Sequence, residues 1–275
     1  MLRRESPPMR KRRPIARAAT DVLAALTLFA AALPAEAGRL GVVLMHAEQG
    51  SPRGGLDGLA ATLEKAGHLV ARPDMCWSAR RSDEAPFEDC LAAVDAAIVR
   101  LRNLGATGIV VGGVGLGGTA AIVYAAGHKE VAGVVALAPG HDAAAMAALP
   151  EVARSVAKAQ SLAADGKGDE EGSFVETGIG PSGGYTTEIA TTANIYLSFF
   201  GPRSKAVIAG NIEHLSAPLL LVGAADDQAE RLDASLFAKA PANKLSRHVT
   251  VAGGAFASAD AARDVVKTWL DELAR

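Results

Sequence analysis

Much that would classify this sequence directly is scarce. Only two of its 275 residues are Cys, too few for a disulfide scaffold or a Cys-built zinc cage. Charge of one sign is not in excess: 28 Lys and Arg face 30 Asp and Glu, a formal net charge of -2. That balance leaves no electrostatic footprint for a nucleic-acid partner. With 49% apolar residues it also excludes intrinsic disorder. The 29 Gly and 13 Pro follow no period, so collagen-like classes are out. Aromatics amount to 4%. No internal repeat and no second-domain linker is visible. The length fits one sizeable domain, or at most two small ones.

The near-neutral total hides an asymmetry. Residues 1–37 hold seven Lys and Arg against three acids, which leaves 21 basic and 27 acidic residues in the rest. The basic cluster (Arg10, Lys11, Arg12, Arg13) precedes an apolar run at 22–33 and then Pro34-Ala35-Glu36-Ala37. A positive segment, a short apolar segment and a small-x-small site in this order predict a secretory signal peptide. The 12-residue run is shorter than the roughly 20 residues a bilayer requires. The expectation is a periplasmic or secreted bacterial protein that starts at Gly38 and keeps no stable membrane anchor. In an oxidising compartment Cys76 and Cys90 become disulfide candidates; the alternative is two buried thiols.

Along the remaining chain, continuously apolar β-rich runs alternate with helical patterns. Strands are predicted at 40–46, 69–73, 108–112, 131–138, 218–223 and 248–252. Helices are predicted at 56–66, 87–104, 119–126, 229–240 and 260–274. Strands apolar on both faces belong in a parallel sheet covered by helices. The alternation predicts an α/β, doubly wound, mainly parallel six-stranded sheet in one domain, residues 38–275. Functional loops then sit at the strand C-termini. One stretch, about 143–215, breaks the alternation. It reads as a short helical cap, with helical runs at 151–163 and 188–200, a polar turn at 165–172 and a Gly/Pro/Ser loop at 178–184. Lys167 and Glu170 stand where a calcium loop needs an acid and a Gly, so the polar turn reads as a solvated helix–helix turn.

The turn after the third strand is Gly112-Gly113-Val114-Gly115-Leu116-Gly117-Gly118. Taken as Gly113-x-Gly115-x-x-Gly118 it matches the dinucleotide fingerprint. No acid ends the next strand, which runs Leu137-Ala138-Pro139-Gly140, and Asp142 falls too late; no cofactor is expected. The other frame is the nucleophile elbow G-x-S-x-G, with Gly113 and Gly117 in place and Gly115 where the nucleophile belongs.

On these residues the sequence resembles the α/β-hydrolase family over nearly all of residues 39–274. Leu44-Met45-His46-Ala47 resembles the strand that leads into the oxyanion loop. The strand through Gly223 to Asp226 resembles the one that delivers the triad acid. The resemblance implies Asp226 as retained acid, Gly115 as a degenerate nucleophile position and Ala255 as a degenerate base position. It also implies backbone donors at Ala47 and Leu116. A Gly at the elbow relieves the strain that a residue with Cβ carries there. Without a nucleophile and a base, triad chemistry has no agent.

The chain thus reads as an exported binding or accessory module. Its ligand, a small molecule or a protein, would sit at the sheet's C-terminal cleft, with His46, Ala47, Leu116 and His141 as binding candidates. The alternative is an active hydrolase of small esters using a relocated nucleophile or a metal. Ser51, Ser78 and Thr119 are the replacement candidates, and His46, His141 and Asp226 would form a two-His, one-carboxylate set. The plainer reading of each His is a ring bonded to loop backbone, and of Trp77 cleft-wall packing. His68 and His248 begin strands, at the wrong end.

Overall fold

The computed structural model describes residues 38–180, 183–224, 233–252 and 258–275. The proposed signal peptide, Asp226 and Ala255 lie outside them. Six strands form the main sheet: β1 (Leu40–Met45), β2 (Leu69–Ala71), β3 (Gly108–Val114), β4 (Gly133–Leu137), β7 (Leu219–Ala224) and β8 (Arg247–Val251). Their order is β2-β1-β3-β4-β7-β8, and every pairing is parallel.

The continuous apolar runs are explained by two cores. Along β1, Val43 and Met45 point into one layer, while Leu40, Val42 and Leu44 point into the other. β4 repeats the pattern, with Val134 and Ala136 on one face and Val135 and Leu137 on the opposite face. A strand of period two needs an apolar residue at every position only when both faces are covered. One face carries α1 (Asp57–Lys65) and α10 (Arg263–Leu273), the latter entered through the short α9 (Ser258–Ala261). The other carries α2 (Phe87–Cys90), α3 (Ala92–Asn103) and α4 (Leu116–Gly127). Leu221 is wholly buried in that second layer, and its truncation to Ala costs about 2–5 kcal/mol.

Local signals set the element ends. α1 has Asp57 in its first turn and Lys65 in its last, matching the helix dipole. It stops at Gly67, whose φ is +96°. The Gly67 N–H bonds the Glu64 carbonyl and the His68 N–H bonds that of Leu63, at 3.0 and 3.1 Å; this is the Schellman closure.

The insertion between β4 and β7 is where the sequence reading needs correction. It contains α5 (Ala143–Met146), α6 (Pro150–Ala164), α7 (Ala193–Phe200) and α8 (Ile208–Ile212). Between α6 and α7 stands an antiparallel hairpin, β5 (Glu171–Gly180) with β6 (Gly183–Thr192). The cap is therefore helical and β, and the run expected to be helical from 188 is strand up to Thr192. Phe174 and Ile189 face each other across the ladder and are buried. Phe174 stacks on Tyr196 of α7 at 4.7 Å, and the Tyr196 hydroxyl donates to the Val175 carbonyl at 2.6 Å. From α6, the Ser155 hydroxyl accepts from the Val175 N–H at 2.9 Å. A lone hairpin is marginal in water, so these dockings fix it on the two helices.

Cys76 and Cys90 are joined as a disulfide, with Cα atoms 5.5 Å apart. Among the described residues no helix is long and apolar enough to cross a membrane.

Candidate functional site

The floor of the site is the β3–α4 turn. Gly115 has φ +57° and ψ −122°, a conformation hostile to any Cβ. Its N–H donates to the Leu137 carbonyl at 3.0 Å, and its own carbonyl accepts from the Thr119 N–H at 3.1 Å. The flanking glycines are fixed by contact instead. A Cβ on Gly113 would fall 2.5 Å from the Met45 carbonyl oxygen, and one on Gly117 would strike the same oxygen. The elbow thus has the close strand–helix approach that the G-x-x-x-G frame demands, with glycine at its apex.

Above the elbow opens a cavity of about 340 Å³. This is within the range of small-molecule sites. Ala47, Gly115, Leu116 and His141 all line it. Val114, Ala138, Ala145, Met146 and Leu149 add apolar wall, and Glu48, Thr177 and Tyr185 supply the polar end. The first N–H groups of α4 have no intrahelical acceptor, and Leu116, its first residue, lines the cavity.

Of the binding candidates, His46 lies elsewhere, as do Trp77 and Asp142. His46 is buried and does not line the cavity. Its Nδ1 donates to the Ala47 carbonyl at 2.8 Å, and its Nε2 accepts from the Met75 N–H at 3.1 Å. Burial lowers its pKa, so the ring is a neutral pin between two loops. Trp77 packs behind the same pin, donating to the His46 carbonyl at 3.0 Å and stacking on Phe87. Asp142 caps α5 through Oδ1, which accepts from Ala144 and Ala145 N–H groups at 3.0 and 3.1 Å.

The replacement nucleophiles fare no better. Ser51 is exposed, Ser78 is buried away from the cavity, and the buried Thr119 donates to the His141 carbonyl at 2.9 Å. Among the described residues no three His, Cys, Asp or Glu side chains are arranged to hold a metal ion. His68 and His248 stand at the opposite end of the sheet, His68 near Asp271 and His248 stacked on Phe237.

His141 is the exception among the histidines. Its Nε2 bonds the Phe199 carbonyl at 3.2 Å and its Nδ1 faces Glu48 Oε1 at 3.2 Å. Burial opposes its charged form, but the Glu48 charge and the two hydrogen-bond partners outweigh it and raise the pKa above the ordinary histidine value. A neutral imidazole has one N–H to give; an imidazolium satisfies both acceptors.

Behind this pair lie two more carboxyl groups that the sequence reading missed. Glu176, on β5, is wholly buried; its Oε1 accepts from the Tyr185 hydroxyl at 2.9 Å and its Oε2 from Gln49 Nε2 at 3.0 Å. Asp83 is 1% exposed, and neither of its carboxylate oxygens has a hydrogen-bond partner among the described residues. Burial, then the Glu48 charge, pushes Asp83 up to about 7, and the same two causes raise Glu176. Burial raises Tyr185 as well. Gln49, Ser82 and Asp83 all have positive φ, at +52°, +47° and +50°. Left-handed backbone at non-Gly residues is strain held in place by its surroundings, and it gathers here around one cluster. Nothing local in the sequence marked Asp83, which sits in the charged stretch 80–84 and reads as solvated surface. For Glu176 a signal did exist: Thr-rich alternation on either side of a Gly/Pro/Ser turn is a hairpin signature.

No family model and no curated protein matches the sequence. Solved structures do match in fold. The monoacylglycerol lipase of Paleococcus ferrophilus is 20% identical, with 86% of this chain and 96% of that one covered at a TM-score of 0.61. A structure from the metagenome-derived lipolytic enzymes LipS and LipT is 16% identical, covering 84% and 91% at 0.58. Est1E from Butyrivibrio proteoclasticus is 18% identical, covering 86% and 87% at 0.54. The chain has the α/β-hydrolase fold.

Proposed function

We propose that this chain uses the hydrolase fold to bind a small molecule non-covalently, without the serine-hydrolase reaction. One observation carries the reading: at the apex of the elbow, where the fold holds its nucleophile, stands Gly115, directly below an open cavity. The reaction needs an oxygen or sulfur nucleophile there with a base beside it. Among the described residues, the hydroxyl side chains lining the cavity are those of Thr177 and Tyr185. Both are engaged in the hairpin, Thr177 donating to the Tyr185 carbonyl at 3.0 Å and Tyr185 to Glu176. Fold likeness to lipases and esterases does not supply their chemistry.

The same proposal includes export to the periplasm or medium. The charge–apolar–small-residue order of residues 1–37 supports it, and so does a disulfide between Cys76 and Cys90.

A fluorophosphonate probe and p-nitrophenyl esters test the reading on the full chain. The expected result is no labelled residue and no turnover above the uncatalysed rate. Stoichiometric labelling of any serine, or sustained ester turnover, overturns it.

A further inference from the structure

The cap meets the rest of the domain along a seam that holds more acid than base. From the hairpin, Glu176 accepts from Gln49 Nε2, on the loop after β1, at 3.0 Å, and the Thr191 hydroxyl donates to the Asp83 carbonyl at 3.0 Å. From α7, the Phe199 carbonyl bonds His141 at 3.2 Å, and the Ser198 hydroxyl accepts from the Phe87 N–H at 2.9 Å. Glu48, Asp83 and Glu176 all come to this seam, each at least nine-tenths buried. The groups acting on Asp83 and Glu176 are Glu48, His141, Tyr185, Gln49 and each other, with Tyr196 beyond. No Lys or Arg is among them; Arg80 and Arg81, close to Asp83 in sequence, turn to Asp74 and Glu84. His141 supplies positive charge, and Glu48 takes it up at 3.2 Å.

Such a seam suits one charge state. With protons on Asp83 and Glu176 it is neutral apart from the Glu48–His141 pair. With both ionised, two more negative charges stand buried beside Glu48 without a counter-charge, an arrangement proteins tolerate poorly. Separating hairpin from body lets water reach both carboxylates. The same separation relaxes the left-handed backbone at Gln49, Ser82 and Asp83, which persists because its surroundings hold it. The hairpin pairs with no other strand among the described residues, so it can move without breaking the main sheet. Burial and the Glu48 charge keep protons on both acids toward neutrality, which sets the change of state within ordinary pH. His141, raised as well, loses its charge in the same direction and leaves Glu48 unmatched.

We propose that this seam is a pH-operated latch, closed while Asp83 and Glu176 carry their protons and loosened when they ionise. Thr177 and Tyr185 of the hairpin form part of the cavity wall. The latch therefore fixes that wall at mildly acid pH and releases it as pH rises. It adds regulation to the binding site proposed above, but its test needs no ligand, so the two readings fail separately. The closed state binds more protons than the loosened one, so rising pH favours loosening. Asp83 titrates at about 7 when closed and at the ordinary 3.8 once solvated. That difference alone enlarges the loosened population about tenfold between about pH 6 and about pH 8.

NMR of the full chain decides the matter. Carboxyl-carbon shifts follow the protons on Asp83 and Glu176, and methyl relaxation dispersion at Ile189 and Thr191 of β6 reads the loosened population on the microsecond-to-millisecond scale. The expected result is titration of both acids near or above neutrality, with a hairpin exchange population that grows about tenfold over the same range. Asp83→Asn combined with Glu176→Gln should flatten that response. Asn tolerates left-handed backbone, and Gln keeps an acceptor oxygen at position 176. Glu176→Gln alone, the milder change, should reduce the response should the double variant fail to fold. Carboxyl groups already ionised at about pH 5 would overturn the latch. So would hairpin exchange that ignores their titration, or a pH response left intact in the variants.

Discussion

Gly115 offers the sharpest test of how the elbow is built. Replacing it with Ala or Ser forces a Cβ into a backbone at φ +57°, ψ −122°. Such a placement costs of order 1–3 kcal/mol. The new Cβ also meets the Ala47 Cβ at 3.3 Å, tight enough that the β1–α1 loop must give way. Against this, loss of glycine's freedom in the unfolded chain returns about 0.4–1 kcal/mol. The balance is a net loss of about 1–2 kcal/mol, or a fall of roughly 2–8 °C in Tm for a domain of this size. Urea unfolding followed by the two tryptophans, Trp77 and Trp269, measures it. Two neighbours calibrate the result. Gly127, at the end of the same helix, has nothing within 4 Å of a built Cβ, so Gly127→Ala should be neutral or stabilising by up to about 1 kcal/mol. Gly113→Ala meets backbone at 2.5 Å on two sides and should be far worse than either. If Gly115→Ala is as stable as the wild type while Gly113→Ala behaves as stated, the elbow is not strained and the reasoning fails.

Other outcomes follow from the same geometry. Denatured, unreduced protein should show no labelled thiol, and reduction of the Cys76–Cys90 bond should cost about 3 kcal/mol on the chain-entropy account of a loop this short; two free thiols in the unreduced protein would refute it. Stability should fall as pH rises from about 5 to about 8.5. The raised pKa values of Asp83 and Glu176 make the folded state bind more protons than the unfolded one over that range, and His141, also raised, loses its contribution in the same direction. His46, with its pKa lowered, opposes them. Urea midpoints should show a shallower slope for Asp83→Asn than for the wild type; an unchanged slope would exclude Asp83 as its source. Intact-mass measurement of periplasmic material from an expressing bacterium should give a chain beginning at Gly38. Retention of the Arg-rich segment there would refute export.

The legible part of this protein was the part fixed by short-range rules. Strands such as β1 and β7 announce themselves because both faces are buried and every position is apolar. The elbow was legible because steric contact dictates glycine at Gly113 and Gly117, whatever stands at the apex. The hairpin was missed despite its Thr-rich arms, because much of its stability is borrowed from the helices it docks on. Phe174 and Tyr196 stack across 22 positions of sequence, and the segment 188–192 has too little length to betray its period. The acidic cluster was out of reach for a related reason. Glu48 follows β1, Asp83 lies inside the Cys76–Cys90 loop, and Glu176 comes from β5. Nothing but the fold brings them together. His46 and His141 looked alike as residues following strands, yet one pins loops and the other faces the cavity.

The cavity's two sides belong to ladders of different size. Its floor, at Gly115 and Leu116, is anchored in the middle of a six-stranded sheet, whereas Thr177 and Tyr185 stand on a two-stranded one that pairs with nothing else among the described residues. Amide exchange should separate them: floor amides opening only with global unfolding, hairpin amides through a cheaper local event. A ligand touching both sides couples the two units. Its binding would be written as slowed exchange along β5 and β6, with the floor hardly changed, so the hairpin is the place where occupancy of this site can be read.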